Sequence, residues 1–318
     1  LYQKMTKEKK NKPSKELPLG FVDRQEKELL IRDFIISNIK EIMVKYGFQY
    51  LETPSFEYTD SIGKFLPDKD RPDQGVFSFQ DEKKWLSLRY DLTAPLARYV
   101  AKNYLEIPKP FKRYQLGTVW RNEKPGPGRF REFLQFDADY VGTKSLQADA
   151  ELCVMISEIL EKCGLSKKDY IVKISSRKIT EELFKKINID NNDQKLIALR
   201  ALDKIDRLGW EGVKQLLGEG RKDKSGDFTK GANLSLTNIE VIENDLKKKS
   251  PETEDLQEIF KLFKDYNFTN FEFDSSIIRG LEYYTGPIFE VNLKFDVKNN
   301  KGQVIQFGSI GGGGRYDN

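Results

Sequence analysis

Residues 119–140 read VWRNEKPGPGRFREFLQFDADY. Two segments rich in aromatic and β-branched residues flank KPGPGRF (124–130), which holds too much glycine and proline for a helix or a strand. Extended backwards through FKRYQLGTVW, the pattern predicts a β-hairpin within 111–142. Arg121 and Glu123 precede its loop, and Arg129 and Arg131 close it. Alternation puts Gln135, Asp137 and Asp139 on one face of the second strand, so acidic groups would line the floor of any pocket there. Such a hairpin can gather arginines to neutralise a polyphosphate, with Glu123 sharing a magnesium ion among its oxygens and Phe133 offering a face to a nucleobase. An ordinary charged hairpin is the bland alternative.

Composition narrows the chemistry around this hairpin. The chain has 318 residues, 54 basic and 50 acidic, and no histidine. Imidazole base catalysis and His-containing zinc sites are thereby excluded. Cys153 and Cys163 are the only cysteines, too few for a disulfide framework or a four-ligand metal site. A net charge of +4 permits a nucleic-acid partner without arguing for one. Six of the fifteen arginines (Arg89, Arg98, Arg113, Arg121, Arg129 and Arg131) fall within 43 residues, where a planar fork for carboxylate or phosphate is the usual reason to prefer arginine over lysine. Neither a bilayer-spanning apolar run nor a secretory leader is visible, so a soluble, cytoplasmic protein is expected.

Further from the hairpin, residues 1–20 read as a basic, flexible tail. Leu29, Leu30, Phe34, Ile35, Ile39, Ile42 and Met43 recur at helical spacing over 21–46, and Gly47 ends that helix. Pro54 interrupts the strand-like FQYLETPSFEY (48–58), Ser78 to Leu88 suits a hairpin, and Thr93 is a plausible cap for a helix with Pro95 in its first turn. A helix over 146–163 and a strand, YIVKIS (170–175), follow. From 178 the chain turns helical and lysine-rich, and the β signal returns at Phe271. The expected class is therefore α+β. A mainly antiparallel sheet domain is built from 21–177 and 271–318, with 178–270 inserted as a helical subdomain and strand 287–295 paired with 111–142 or 85–92.

The hairpin also resembles the second signature motif of class II aminoacyl-tRNA synthetases, in the form found in the histidyl-tRNA synthetase family. LRYDLTAP (88–95) is similar to that family's amino-acid-binding segment, RGLEYYTGPIFE (279–290) to its first histidine-specific motif, and GGGGRYDN (311–318) to its second. Pro54 sits where the class carries the proline of its dimer-forming first motif. The likeness runs from about residue 20 to the end.

The resemblance implies a ligase that joins ATP and L-histidine into histidyl-adenylate and passes histidine to tRNA(His), as a homodimer with Mg2+ accompanying ATP. It implies that Asp91, Leu92, Thr93, Arg121, Gln135, Asp139, Arg279, Tyr283 and Tyr284 bind histidine. Among these, Asp91, Thr93 and Gln135 would hold the α-amino group, and Asp139 and Tyr284 the two ring nitrogens. Arg121, Glu123, Arg129 and Phe133 would bind ATP, with Glu123 on magnesium, and Arg121 and Arg279 would flank the α-phosphate during catalysis. Family chains continue beyond the GGRYD segment into a third class motif and an anticodon-binding domain, so this chain is expected to be a fragment. A rival with the same fold is the non-catalytic regulatory subunit of ATP phosphoribosyltransferase. A pseudo-synthetase that only senses uncharged tRNA is another. Retention of Arg121, Glu123, Arg129, Gln135, Asp139 and Arg279 together favours the ligase over both.

Overall fold

A computed structural model describes residues 15–62, 75–126, 128–223, 226–247, 253–278, 284–298, 302–305 and 308–317. In chain order its elements begin with α1 (Glu26–Lys45), β1 (Gln49–Tyr50), β2 (Phe56–Tyr58), α2 (Thr59–Ile62), β3 (Ser78–Asp81), β4 (Lys84–Leu88) and α3 (Thr93–Asn103). The predicted hairpin follows as β5 (Phe111–Trp120) and β6 (Glu132–Val141), then α4 (Leu146–Lys162) and β7 (Tyr170–Ser176). The helical stretch comprises α5 (Arg177–Lys186), α6 (Asn192–Leu202), α7 (Ile205–Leu217), β8 (Gly220–Lys222), β9 (Phe228–Lys230), α8 (Leu236–Leu246) and α9 (Glu254–Asp265). β10 (Phe271–Phe273), β11 (Pro287–Leu293), β12 (Val297–Lys298), β13 (Val304–Ile305) and β14 (Ser309–Gly314) complete the order. The class is α+β, rich in antiparallel pairs.

β5 and β6 pair antiparallel over their full length, and β1 adds in parallel beside β5. Alternation then separates two chemistries. Tyr114, Leu116, Phe136, Ala138 and Tyr140 pack with Ile39, Ile42 and Met43 of α1 and Met155 and Ile159 of α4. Arg113, Gln115, Gly117, Gln135, Asp137 and Asp139 alternate with them in the paired strands and so share the opposite face.

A second sheet runs β10-β7-β11-β14. The expected pairing of strand 287–295 with 111–142 or 85–92 is not met: β11 pairs antiparallel with β7 and with β14. Strand-forming residues in β11 specify that it pairs, but the choice of partner is made by long-range packing. Here that packing comes from α4. One of its faces joins Met155 and Ile159 to the β5–β6 sheet, and another joins Ala150 and Cys153 to Tyr170, Val172 and Ile174 of β7. Burying each large apolar side chain in these clusters stabilises by about 1.5–3 kcal/mol, so α4 ties the two sheets together.

The helical stretch has its own apolar core, drawn from Leu183 to Ile242 with Ile278. α9 does not belong to that core: Leu256, Ile259 and Phe263 pack against β7 and α4. Near the first residues described, the Gly20 carbonyl accepts the Arg131 amide at 2.8 Å and Phe21 lies beside Phe77, so this end of the basic stretch is docked on the hairpin.

The helix expected over 21–46 is realised as α1 over Glu26–Lys45, with residues 21–25 outside it, Tyr46 as its C-cap and Gly47 at φ +74, a conformation glycine adopts at little cost. Only Ile39, Ile42 and Met43 of its apolar positions are buried, while Leu30, Phe34 and Ile35 are exposed, because no described element covers that half of the helix.

Candidate active site

The polar face of β5–β6 is built by cross-strand pairs. Arg113 stands opposite Asp139, Gln115 opposite Asp137, and Gly117 opposite Gln135. Gly117 admits the neighbouring Arg89: a Cβ there would lie 2.4 Å from Arg89 Nη2. Arg89 is thereby free to donate to the carbonyls of Thr118 at 2.8 Å and Thr53 at 2.7 Å, bracing the strand against the 51–54 loop.

Over this floor lies the N-terminus of α3. Thr93 does not cap it. Asp91 Oδ1 accepts the backbone N–H of Thr93 at 3.1 Å and of Ala94 at 2.9 Å, taking over two donors that the first turn leaves unpaired. Thr93 Oγ1 instead approaches Asp137 Oδ2 at 3.4 Å. Gln135 Nε2 donates to both oxygens of Asp137, at 2.9 and 3.1 Å. Asp91, Thr93 and Gln135, predicted to act together, therefore do lie together, with Asp137 at their centre.

Three carboxylates in one small volume repel one another. Burial, then Asp139, then Asp91 push Asp137 up to about 7. Burial also raises Asp91, against the pull of its two amide donors and Arg121. Arg113, fully buried, donates from Nη1 to Asp139 Oδ2 at 2.8 Å and from Nη2 to the Leu92 carbonyl and Gln115 Oε1. Its Nε and Gln115 Nε2 have no partner among the described residues, so the floor keeps donors to spare.

At the mouth, the Arg121 guanidinium carbon sits 4.6 Å from the Tyr90 ring centroid and 5.0 Å from that of Phe133. It also donates to the Tyr90 carbonyl and Gln135 Oε1, each at 3.3 Å. Glu123 accepts the Tyr90 hydroxyl at 2.8 Å and is exposed, as is Arg129 in the turn. From the second sheet, Tyr284 is buried with Ile277, Ile288 and Tyr316, in a space that Gly314 leaves open: a Cβ there would lie 2.7 Å from Tyr284 Cδ1. Tyr316 donates its hydroxyl to Asp139 Oδ1 at 2.6 Å. Arg315 anchors this strand to α4, donating to Asp149 and to the Ser145 carbonyl. Arg279 and Tyr283 lie outside the described residues.

Sequence reasoning put the GGGGRYD segment with Tyr316 beside the side-chain pocket without giving Tyr316 a partner, and it missed Arg113 as a member of this cluster and Tyr90 as the residue that orients Arg121 and Glu123. Alternation along FKRYQLG puts Arg113 and Gln115 on one face, which was an available signal. What was lacking was the register that sets Arg113 opposite Asp139. Among the described residues no group of three His, Cys, Asp or Glu side chains, the three carboxylates of the floor included, is arranged to hold a metal ion. A magnesium ion brought by a nucleotide needs fewer protein ligands than that, so Glu123 alone fits the role of sharing one.

The sequence profile of the histidyl-tRNA synthetase family matches residues 20–318. The histidine–tRNA ligase of Bartonella quintana is 49% identical, over 97% of this chain and 67% of its own length. The crystal structure of histidyl-tRNA synthetase from Nostoc superposes with a TM-score of 0.68 at 25% identity, covering 89% of this chain and 66% of that one. An ATP phosphoribosyltransferase regulatory subunit/histidyl-tRNA synthetase from Bacillus halodurans gives 0.72 at 22% identity, covering 96% and 77%, a likeness of fold alone. With its hairpin, its polar floor and this match from residue 20 onward, the chain belongs to the histidyl-tRNA synthetase family.

Proposed function

We propose that the chain carries the activation site of a histidine–tRNA ligase, which condenses ATP and L-histidine to histidyl-adenylate and transfers histidine to tRNA(His). The observation that carries this reading is the single cluster in which Asp91, Thr93, Gln135, Asp137 and Asp139 meet Arg121. An amino acid brings an ammonium, a carboxylate and, here, a ring with two nitrogens. The carboxylates suit the ammonium, Arg121 suits the carboxylate and the α-phosphate, and Asp139 and Tyr284 suit the ring.

The substrate carboxylate is already ionised at neutral pH, so its attack on the α-phosphate needs no protein base. That agrees with a chain lacking histidine. Positioning and charge neutralisation do the rest. Arg121, clasped between Tyr90 and Phe133, is held in place before substrate arrives, which lowers the reorganisation needed in the transition state. Phe133 offers the adenine a ring face, Glu123 shares magnesium with the phosphates, and Arg129 and Arg279 add positive charge. Cytoplasmic location and a homodimer belong to the same reading. No helix among the described residues is long and apolar enough to cross a membrane. The exposed apolar face of α1 suits a second copy of the chain.

The test is ATP–pyrophosphate exchange by the full-length protein against each of the twenty amino acids. Exchange with histidine alone is expected. Exchange with another amino acid at comparable efficiency, or with none, would overturn the reading. The last result would favour the non-catalytic regulatory subunit.

A further inference from the structure

We propose that Arg113 and Tyr316 are positioning residues of the amino-acid pocket, which together hold the Asp139 carboxylate as an acceptor-only group aimed at a ring N–H of the substrate. The inference rests on the role of Asp139 proposed above and adds what fixes that role.

Arg113 cannot reach the substrate itself. It is fully buried and its fork is fully engaged on one side. Nη2 donates to the Leu92 carbonyl at 3.0 Å and to Gln115 Oε1 at 2.7 Å, and Gln115 Oε1 is held in turn by Thr53 Oγ1 at 3.1 Å. Nη1 donates to Asp139 Oδ2 at 2.8 Å, and the remaining donor, Nε, is itself buried. Tyr316 arrives just beyond β14 and donates to the other oxygen, Oδ1, at 2.6 Å. The carboxylate is thus gripped on both oxygens by donors from two sheets that meet at this point. A carboxylate oxygen has two acceptor positions, so one on each oxygen remains for the pocket.

This grip has a chemical consequence. A carboxylate accepts and does not donate, and a donor on each oxygen fixes where its remaining acceptor positions point. It can welcome a ring N–H and has nothing to give a bare ring nitrogen or sulfur, which sets one ring tautomer of histidine and disfavours isosteres lacking the N–H. Removing either donor frees the carboxylate to rotate, and the preference weakens. A purely structural Arg113 or Tyr316 would instead lower activity on every substrate alike.

The experiment uses the full-length protein in ATP–pyrophosphate exchange with L-histidine and with 3-(thiazol-4-yl)alanine, which keeps a ring nitrogen acceptor and lacks the N–H. For Tyr316→Phe, the KM for histidine is expected to rise about tenfold while the KM for ATP stays within about twofold, and the histidine-to-isostere ratio of kcat/KM to fall about tenfold. Arg113→Met should lower the ratio at least as much, and Arg113→Lys, which keeps a cation under Asp139, should recover part of it. If Arg113→Met fails to fold, Tyr316→Phe carries the test, since it removes one hydroxyl and no buried charge. A ratio within about twofold of wild type in Tyr316→Phe overturns the inference, whatever happens to overall rate or stability. A wild-type protein that activates no histidine removes the reading on which it rests, an outcome seen before any variant is made.

Discussion

Asp137 and Asp139 lie two residues apart on one strand face, yet they respond to removal in different ways. Asp139 neutralises a fully buried arginine, so Asp139→Ala leaves Arg113 as an unpaired buried charge, at a cost of about 3–5 kcal/mol. Asp139→Asn keeps an acceptor for Arg113. We expect it to raise the KM for histidine by an amount equivalent to roughly 1–3 kcal/mol, with a much smaller fall in the unfolding midpoint than the alanine variant. Steady-state exchange and thermal melts of both variants check this. Asp137 is the reverse case, a carboxyl whose burial and acidic neighbours push it up to about 7. An acid raised on folding contributes stability that is complete below its unfolded value, near 4, and is lost as pH climbs through about 7. Relative to Asp137→Asn, the unliganded wild type should therefore lose stability progressively between about pH 4 and 7 and then level off, as measured by urea unfolding of the two proteins at matched pH. A parallel pH dependence in the variant would show that Asp137 does not carry the effect. Of this residue-scale picture, the identity of the acidic face was legible in LQFDADY from alternation alone. The partners that distinguish Asp139 from Asp137 were not, since they come from β5 and from the segment after β14.

Among the elements, the β5–β6 hairpin was the most legible, because a Gly/Pro loop between two alternating segments admits few other folds. The extent of α4 and the presence of α1 were legible for the same kind of reason, a period that only a helix satisfies, although α1 begins at Glu26 and not at Phe21. The capping of α3 was misread. Thr93 stands first in the helix, and the carboxylate two residues earlier reaches the amides more directly than its hydroxyl does. The partners of β11 were beyond any local pattern, as strand propensity is silent about which neighbour a strand takes. Gly117 gives an element-scale prediction. Gly117→Ala would thrust a methyl group into Arg89, whose guanidinium bonds two carbonyls across β5 and the 51–54 loop. We expect about 1–3 kcal/mol of destabilisation and a lower thermal midpoint, read by differential scanning fluorimetry. An unchanged midpoint would mean that Arg89 moves aside without loss.

At the scale of the whole molecule, the exposed apolar face of α1 is what stands out. Leu30, Ile31, Phe34 and Ile35 lie on successive turns and are all exposed, with Tyr50 and Phe56 also exposed on β1 and β2. If a second copy covers this face, Phe34→Glu should convert a dimer of the full-length protein to a monomer in sedimentation velocity at micromolar concentration, whereas Lys40→Glu, on the polar side, should not. The helical stretch leads in another direction. Its apolar core spans Leu183 to Ile242, while α9 stays with the sheet and β10 returns in parallel beside β7, the strand from which the chain departed. A block that leaves and re-enters at neighbouring strands while keeping its own interior can be gained, lost or exchanged between genes in one recombination event, with the pocket on β5–β6 left as it was.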